Sequence, residues 1–326
     1  MTASAFTPAE VLVLALAPEH YYRTPLLAGS RQLFIGPDVQ QENHQGPHLC
    51  LRLQPHWLDG RQLAPVLQQL GFSPDLVLVK ADASCRNHLR QLQALPGRKV
   101  LLMGDTHHLP QPLQTMLGYA LAEPWDLISS EHDRHHLPWC AEAGLNQLIW
   151  LPCYTINPHC LAPQAPQDPR AVFVGSLSPH HRQRQRLLET LPSHGLNPLI
   201  TGASQAQAAQ LYNRHLVSLN VSLNADLNFR IFEILAAGGC LLTDRLGPDA
   251  GLDQLLVEGQ HYLAYSTPAD AAAQVQRLQA NPGLRQAIAS AGHKLYWEHF
   301  SPQQQTEALL AALSGKAIPR PFQPPA

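Results

Sequence analysis

Short apolar runs alternate along this chain with amphipathic segments of helical period, and that rhythm leaves few folds open. In the first half, runs at 11–17, 32–35, 48–53, 76–80, 99–103, 126–130 and 147–151 read as buried strands. Helical patterns at 60–70, 84–95, 110–121 and 134–143 lie between several of them. Strands alternating with helices of this length predict parallel β-α-β units, because only a crossover connection can join parallel neighbours. The opening 55 residues are interrupted by Pro18, Pro25, Gly36-Pro37 and Gly46-Pro47, so their elements must be short.

Residues 157–170 hold Pro158, Pro163, Pro166 and Pro169 and little that can pack, as a linker between domains would. A second alternating set follows: strands at 171–174, 199–201, 216–221, 241–244 and 261–265, with helices at 181–191, 205–214, 229–237 and near 253–257. Three helices close the chain near 269–279, 283–296 and 302–313. The layout predicts an α/β protein of two doubly wound, Rossmann-like domains facing each other across a cleft. Its parts are 1–156, a linker at 157–170, a second domain at 171–300 and a C-terminal helix and tail at 301–326.

Ser222 to Asp244 carries the most information. It reads as loop, buried helix, Gly238-Gly239 break and buried strand, with Asn228 at the N-cap position. Phe229 to Ala237 is apolar almost all round apart from Arg230 and Glu233, which share one face of the first turn. A cation at a helix N-terminus opposes the dipole, and an anion held between the helix end and Arg230 removes the conflict. Glu233 accepts hydrogen bonds only, as a ribose diol requires. An intrahelical Arg230–Glu233 ion pair with no ligand is the competing reading.

The run Asn228-x-Arg230-x-Phe232-Glu233-x-Leu235-Ala236-x-Gly238, followed by Leu241-Leu-Thr-Asp244, resembles the nucleotide-sugar site of two-domain GT-B glycosyltransferases. The closest group is the CgeB-like family, related to the family 4 transferases. The resemblance covers roughly 170–305 well and about 72–155 more loosely. It implies a ribose-binding role for Glu233 and a phosphate-binding role for Arg230. Family 4 enzymes carry a second glutamate eight positions earlier, where this chain has Ala225 beside Asp226.

Further candidates sit at strand ends. Val172-Phe-Val-Gly-Ser runs from a strand into a turn, where Gly175 and Ser176 let backbone amides approach an anion. Arg182, on the first turn of the next helix, is placed to reach a diphosphate, and the family resemblance implies that role; a solvated basic face with Arg184 and Arg186 is the alternative. Gly202 is a second point for close backbone approach. Thr243 is placed to hydrogen-bond a phosphate or sugar hydroxyl, while Asp244 is more simply a cap.

In the first half, Asp105, His107 and His108 end a strand in a polar cluster suited to acid/base work, one imidazole taking the acceptor's proton and Asp105 orienting the ring. Asp105 or Thr106 capping the next helix is the plainer reading. Ser129-Ser-Glu-His-Asp133 lines the same cleft or an ordinary loop. The expected activity is therefore transfer of a sugar from a nucleotide-diphosphate sugar to an unidentified glycan, lipid or protein, without cofactor or metal. A binding or scaffolding protein of the same fold that has lost turnover is the alternative, encouraged by Ala225. Asp105-x-His107 opening a metallophosphoesterase fails because the further metal-binding segments are missing.

Composition excludes other classes. A net charge of −2 argues against a nucleic-acid binder. Eighteen histidines make chance clusters common, and none has the spacing of a structural metal site. Six cysteines without a C-x-x-C pair fit a reducing compartment. The run 11–17 is too short and follows Glu10, so it reads as a strand rather than a signal peptide, and no run reaches a membrane span. The expectation is a soluble cytoplasmic protein.

Overall fold

The computed structural model describes residues 6–17, 29–104, 109–132, 134, 136–154, 158–177, 181–223, 225–318 and 322. Two compact units emerge: Met1–Thr155 together with Pro302–Ala326, and Ile156–Ser301.

Unit 1 is built on β1 (Glu10–Leu14), β2 (Arg31–Gly36), β3 (His48–Arg52), β4 (Leu76–Ala81), β5 (Arg98–Met103), β6 (Leu127–Ser130) and β7 (Leu148–Trp150). They form one parallel sheet in the order β3-β2-β1-β4-β5-β6-β7. Strands such as Leu76-Val-Leu-Val are buried along their whole length, as a sheet covered on both faces demands. Its helices are α1 (Gly60–Gln69), α2 (Pro112–Ala122) and α3 (His136–Glu142).

The helix expected over 84–95 is not formed. Cys85 and Gln91 take positive φ of 60° and 58°, which no helix accommodates. Asn87 and His88 are buried and turned back onto the chain, Asn87 donating to the Lys80 carbonyl and His88 Nε2 lying 2.7 Å from that of Asp82. Leu89, Leu92 and Leu95 are buried at every third position, a spacing that imitates a helix, but only Leu92–Ala94 makes a 3-10 turn.

Unit 2 contains β8 (Asp168–Val174), α4 (Arg182–Thr190), β9 (Leu199–Thr201), α5 (Gln205–Arg214), β10 (His215–Asn220), α6 (Phe229–Ala236), β11 (Leu241–Asp244), α7 (Leu252–Leu255), β12 (Leu263–Tyr265), α8 (Pro268–Ala280) and α9 (Pro282–Leu295). Its parallel sheet runs β12-β11-β10-β8-β9, so the strand order reverses between β8 and β10. One core joins Phe173, Val217, Leu219 and Leu242 to Leu188 of α4 and Ala271, Val275 and Leu278 of α8. On the other side α6 packs against β10, β11, α5 and α9, with Phe232 edge-on to Phe300 at 5.8 Å.

The proline-rich stretch is not a bare tether. Asn213 donates to the carbonyls of Ala162 (3.0 Å) and Ala237 (2.8 Å), fastening the strap to the end of α6. Gly238 has φ +70°, and a Cβ there would stand 2.6 Å from the Leu161 carbonyl oxygen. The residues beyond 301 also do more than trail: α10 (Pro302–Leu313) joins unit 1, where Gln305 donates to the Pro152 carbonyl (3.1 Å) and the Tyr154 and Thr306 hydroxyls meet at 2.9 Å.

Candidate nucleotide-sugar site

In an open parallel sheet the crevice for a ligand lies at the carboxyl ends of the strands where the order reverses. In unit 2 that point is the gap between β8 and β10, and Arg230 spans it. Its Nε donates to the Val174 carbonyl at 2.7 Å; its Nη1 donates to Asn220 Oδ1 at 3.0 Å and the Val221 carbonyl at 3.3 Å. The guanidinium carbon stands 4.4 Å from the centre of the Phe173 ring, within cation–π range. The Nη2 edge faces Gly175, where a Cβ would collide with it. Gly175 is thus required by the arginine itself, which brings the end of β8 against the Arg230 side chain of α6.

Glu233 lies one turn deeper on α6. The Arg230 guanidinium is committed to the two strand ends, and among the described residues the Glu233 carboxylate makes no ion pair or side-chain hydrogen bond. The intrahelical pair is therefore not formed. Burial raises the Glu233 carboxyl above the usual range, with the charge of Arg230 pulling it back. Asn228 stands at the N-cap position without making the cap bond, and both polar atoms of its side-chain amide are buried with no partner. A buried amide that donates and accepts nothing costs free energy unless something external satisfies it. Asn228 and Glu233 thus leave hydrogen-bonding capacity unused at the head of one helix.

Thr243 is committed to protein partners. It is fully buried, and its hydroxyl accepts from Asn220 Nδ2 at 2.9 Å. Since Asn220 in turn accepts from Arg230, Thr243 holds the residue that holds the arginine. Asp244 caps the loop after β10, accepting from the Ser222 amide at 2.9 Å and from its hydroxyl. Asp226 is buried and accepts from the Leu223 amide at 2.8 Å, so it is spent on its own loop. Ala225 is exposed in a left-handed conformation of φ 58°.

Of the three arginines opening α4, the one turned inward is Arg184, not the Arg182 that the sequence offers for a diphosphate. Arg182 is exposed on the first turn; Arg184 is buried, its Nε and Nη2 donating to the Val221 carbonyl at 3.1 and 2.9 Å. It shares that carbonyl and the Phe173 ring with Arg230, its guanidinium carbon 5.6 Å from the ring centre. Desolvation, reinforced by the charge of Arg230, lowers the Arg184 pKa to about 10. A helical period starting at residue 182 would have marked Arg184, Leu188 and Leu191 as one inward face. Gly202 is exposed, with nothing within 4 Å of a Cβ built there, so no protein group presses on it. Asp105, His107 and His108 lie outside the described residues, as does Asp133. Among the described residues no group of three or more His, Cys, Asp or Glu is arranged to hold a metal ion, and no helix is long and apolar enough to cross a membrane.

Residues 182–311 match the family model described as glycosyl transferase-like. No curated protein matches the chain in sequence. Among solved structures it is similar to Anabaena HepE in complex with UDP and glucose, at 14% identity and a TM-score of 0.68, covering 93% of this chain and 99% of that one. It is also similar to sucrose-phosphate synthase from Thermosynechococcus elongatus, at 12% identity and TM-score 0.64, covering 91% and 96%. A third, T4 phage BGT in complex with its UDP-glucose substrate, aligns at 12% identity and TM-score 0.56 over 93% and 99%. With two Rossmann-like units, each on its own parallel sheet, and such neighbours along nearly its whole length, the chain has the GT-B fold.

Proposed function

We propose that this chain is a glycosyltransferase that takes a sugar from a nucleotide-diphosphate sugar, unit 2 holding the donor. The observation that carries the reading is Arg230 fixed across the reversal of strand order, with Glu233 and Asn228 left open beside it. In this reading Glu233 takes the ribose hydroxyls and Asn228 pairs its amide with the donor. The diphosphate lies against the Gly175-Ser176 turn and the Nη2 edge of Arg230. Charge building on the departing diphosphate is met by Arg230 and buried Arg184, cations fixed before the reaction begins and so needing no reorganisation. That is why we read the transfer as metal-independent. Arg182 and Gly202 flank the donor rather than grip it. Unit 1 serves the acceptor, with Asp105, His107 and His108 as its acid/base group.

The test is thermal stabilisation by a panel of UDP-, GDP-, ADP- and dTDP-sugars, since a ligand that binds only the folded state raises its stability by an amount set by affinity. UDP-glucose comes first, because it is bound by neighbours of the same fold. One donor is expected to stand out, and Glu233→Ala is expected to abolish its shift. An unchanged shift in that variant removes Glu233 from the site. A second reading, a binder without turnover, is favoured by one observation: Ala225 offers no acid, and Asp226 beside it is turned into the loop. Release of nucleoside diphosphate separates the two, since a pure binder shows the shift and no release.

A further inference from the structure

Of the six cysteines, Cys50, Cys140, Cys153 and Cys240 are buried, and burial pushes the Cys140 and Cys240 thiols up to about 11 and about 12. All four are sheltered from solvent. Cys85 and Cys160 are exposed, and their surroundings differ. The Cys85 sulfur lies 3.7 Å from the Ala83 carbonyl, an oxygen that accepts a hydrogen bond but cannot carry a proton away. The Cys160 sulfur lies 4.0 Å from Nε2 of His293, on the neighbouring face of α9. The other ring nitrogen of His293, Nδ1, is 3.2 Å from the Leu235 carbonyl. A carbonyl only accepts, so Nδ1 carries the hydrogen, which leaves the Nε2 lone pair turned toward the thiol.

We infer that Cys160 and His293 form a reactive thiol–imidazole pair, making Cys160 a site of oxidative modification by hydroperoxides. His293 takes the thiol proton. The thiolate attacks one peroxide oxygen, the O–O bond breaks, and the departing hydroxide recovers the proton from the imidazolium as water. Thiol and hydrogen peroxide thus give sulfenic acid and water; sulfur is oxidised by two electrons and the peroxide reduced by two. Cys160 lies on the strap that Asn213 fastens beside the carboxyl end of α6, the end opposite Arg230, with His293 reaching it from α9, and the inference stands apart from the proposed transferase activity.

The experiment exposes the full-length folded protein to limiting hydrogen peroxide and traps sulfenic acid with dimedone. Peptide mass spectrometry then reads occupancy at Cys160 and Cys85 in the same molecules. Cys160 is expected to be trapped at least about tenfold faster than Cys85, and His293→Gln to remove about tenfold of that rate while leaving Cys85 unchanged, as loss of a local base predicts. Equal trapping at the two exposed cysteines in the unmutated protein overturns the inference without any variant having to fold. A His293→Gln protein that unfolds normally yet keeps the Cys160 rate overturns it as well.

Discussion

Gly175→Ala is expected to destabilise unit 2 through one side chain, and the size of the effect can be worked from the contacts. The new Cβ would collide with Nη2 of Arg230 and stand 3.2 Å from Cζ of Phe173 and 3.3 Å from Cζ of Arg230. Phe173 is fully buried in the core and cannot retreat, so the guanidinium must. Moving it stretches the bonds at 2.7 Å to Val174 and 3.0 Å to Asn220. Overpacking costs about 1–3 kcal/mol, and loss of a hydrogen bond to a charged group about 1.5–3 kcal/mol. Because these terms overlap, about 3 kcal/mol is a fair central value, or a melting point lower by roughly 6–12 °C for a unit of this size. Gly202 ends the adjacent strand and supplies the control, since nothing lies within 4 Å of a Cβ there. Gly202→Ala should be neutral or stabilising by up to about 1 kcal/mol, because alanine narrows the unfolded ensemble. Scanning calorimetry on both variants decides the matter. If Gly175→Ala melts within about 2 °C of the unmutated protein, a gap well inside the range above, the close approach of Arg230 is not what the glycine is for.

Asn220→Ala removes an acceptor from Arg230 and the partner of Thr243, so a loss of about 2 kcal/mol is expected in denaturant unfolding, with donor affinity falling too. Thr243→Val keeps the shape and removes only the outer link, and about 1 kcal/mol is expected. A larger loss for Thr243→Val than for Asn220→Ala would contradict the order of the chain. Glu233→Gln should separate stability from binding. The Glu233 carboxyl titrates above its ordinary 4.5 in the folded protein, because burial disfavours its charge. Its contribution is fully present below that ordinary value and is lost as pH climbs through the raised one. Glutamine, neutral throughout, should therefore melt higher than glutamate at neutral pH and show a flatter dependence above pH 4.5, while losing the donor-induced shift. Melting curves across pH, with and without nucleotide sugar, test both halves.

The parallel architecture was legible because buried parallel strands are written as unbroken apolar runs, Leu76 to Val79 and Leu241-Leu242 among them. The close approach of Arg230 to Gly175 was half legible. Each residue was marked by its own chemistry, but nothing in 54 intervening residues says that one is glycine because the other needs room. Arg182 was singled out for following the Gly175-Ser176 turn, as the family resemblance implies, whereas the inward turn of Arg184 rests on Val221 and the Phe173 ring, partners distant in the chain. The segment 84–95 misled for the opposite reason: its leucine spacing is real, but left-handed Cys85 and Gln91 and the inward-facing Asn87 and His88 obey tertiary demands. Thr243 was placed correctly at a strand end, yet which of its neighbours claims the hydroxyl is decided only across the sheet, by Asn220.

The return of Pro302–Leu313 to unit 1 has a consequence for how the protein is made. A ribosome delivers the seven strands of the first sheet early, yet the Pro152 carbonyl and the Tyr154 hydroxyl wait for Gln305 and Thr306, which arrive only after the whole of the second unit. The earlier-made half is thus the later one to be finished, and a stop codon after Ser301 would spare every strand while leaving that half unsealed.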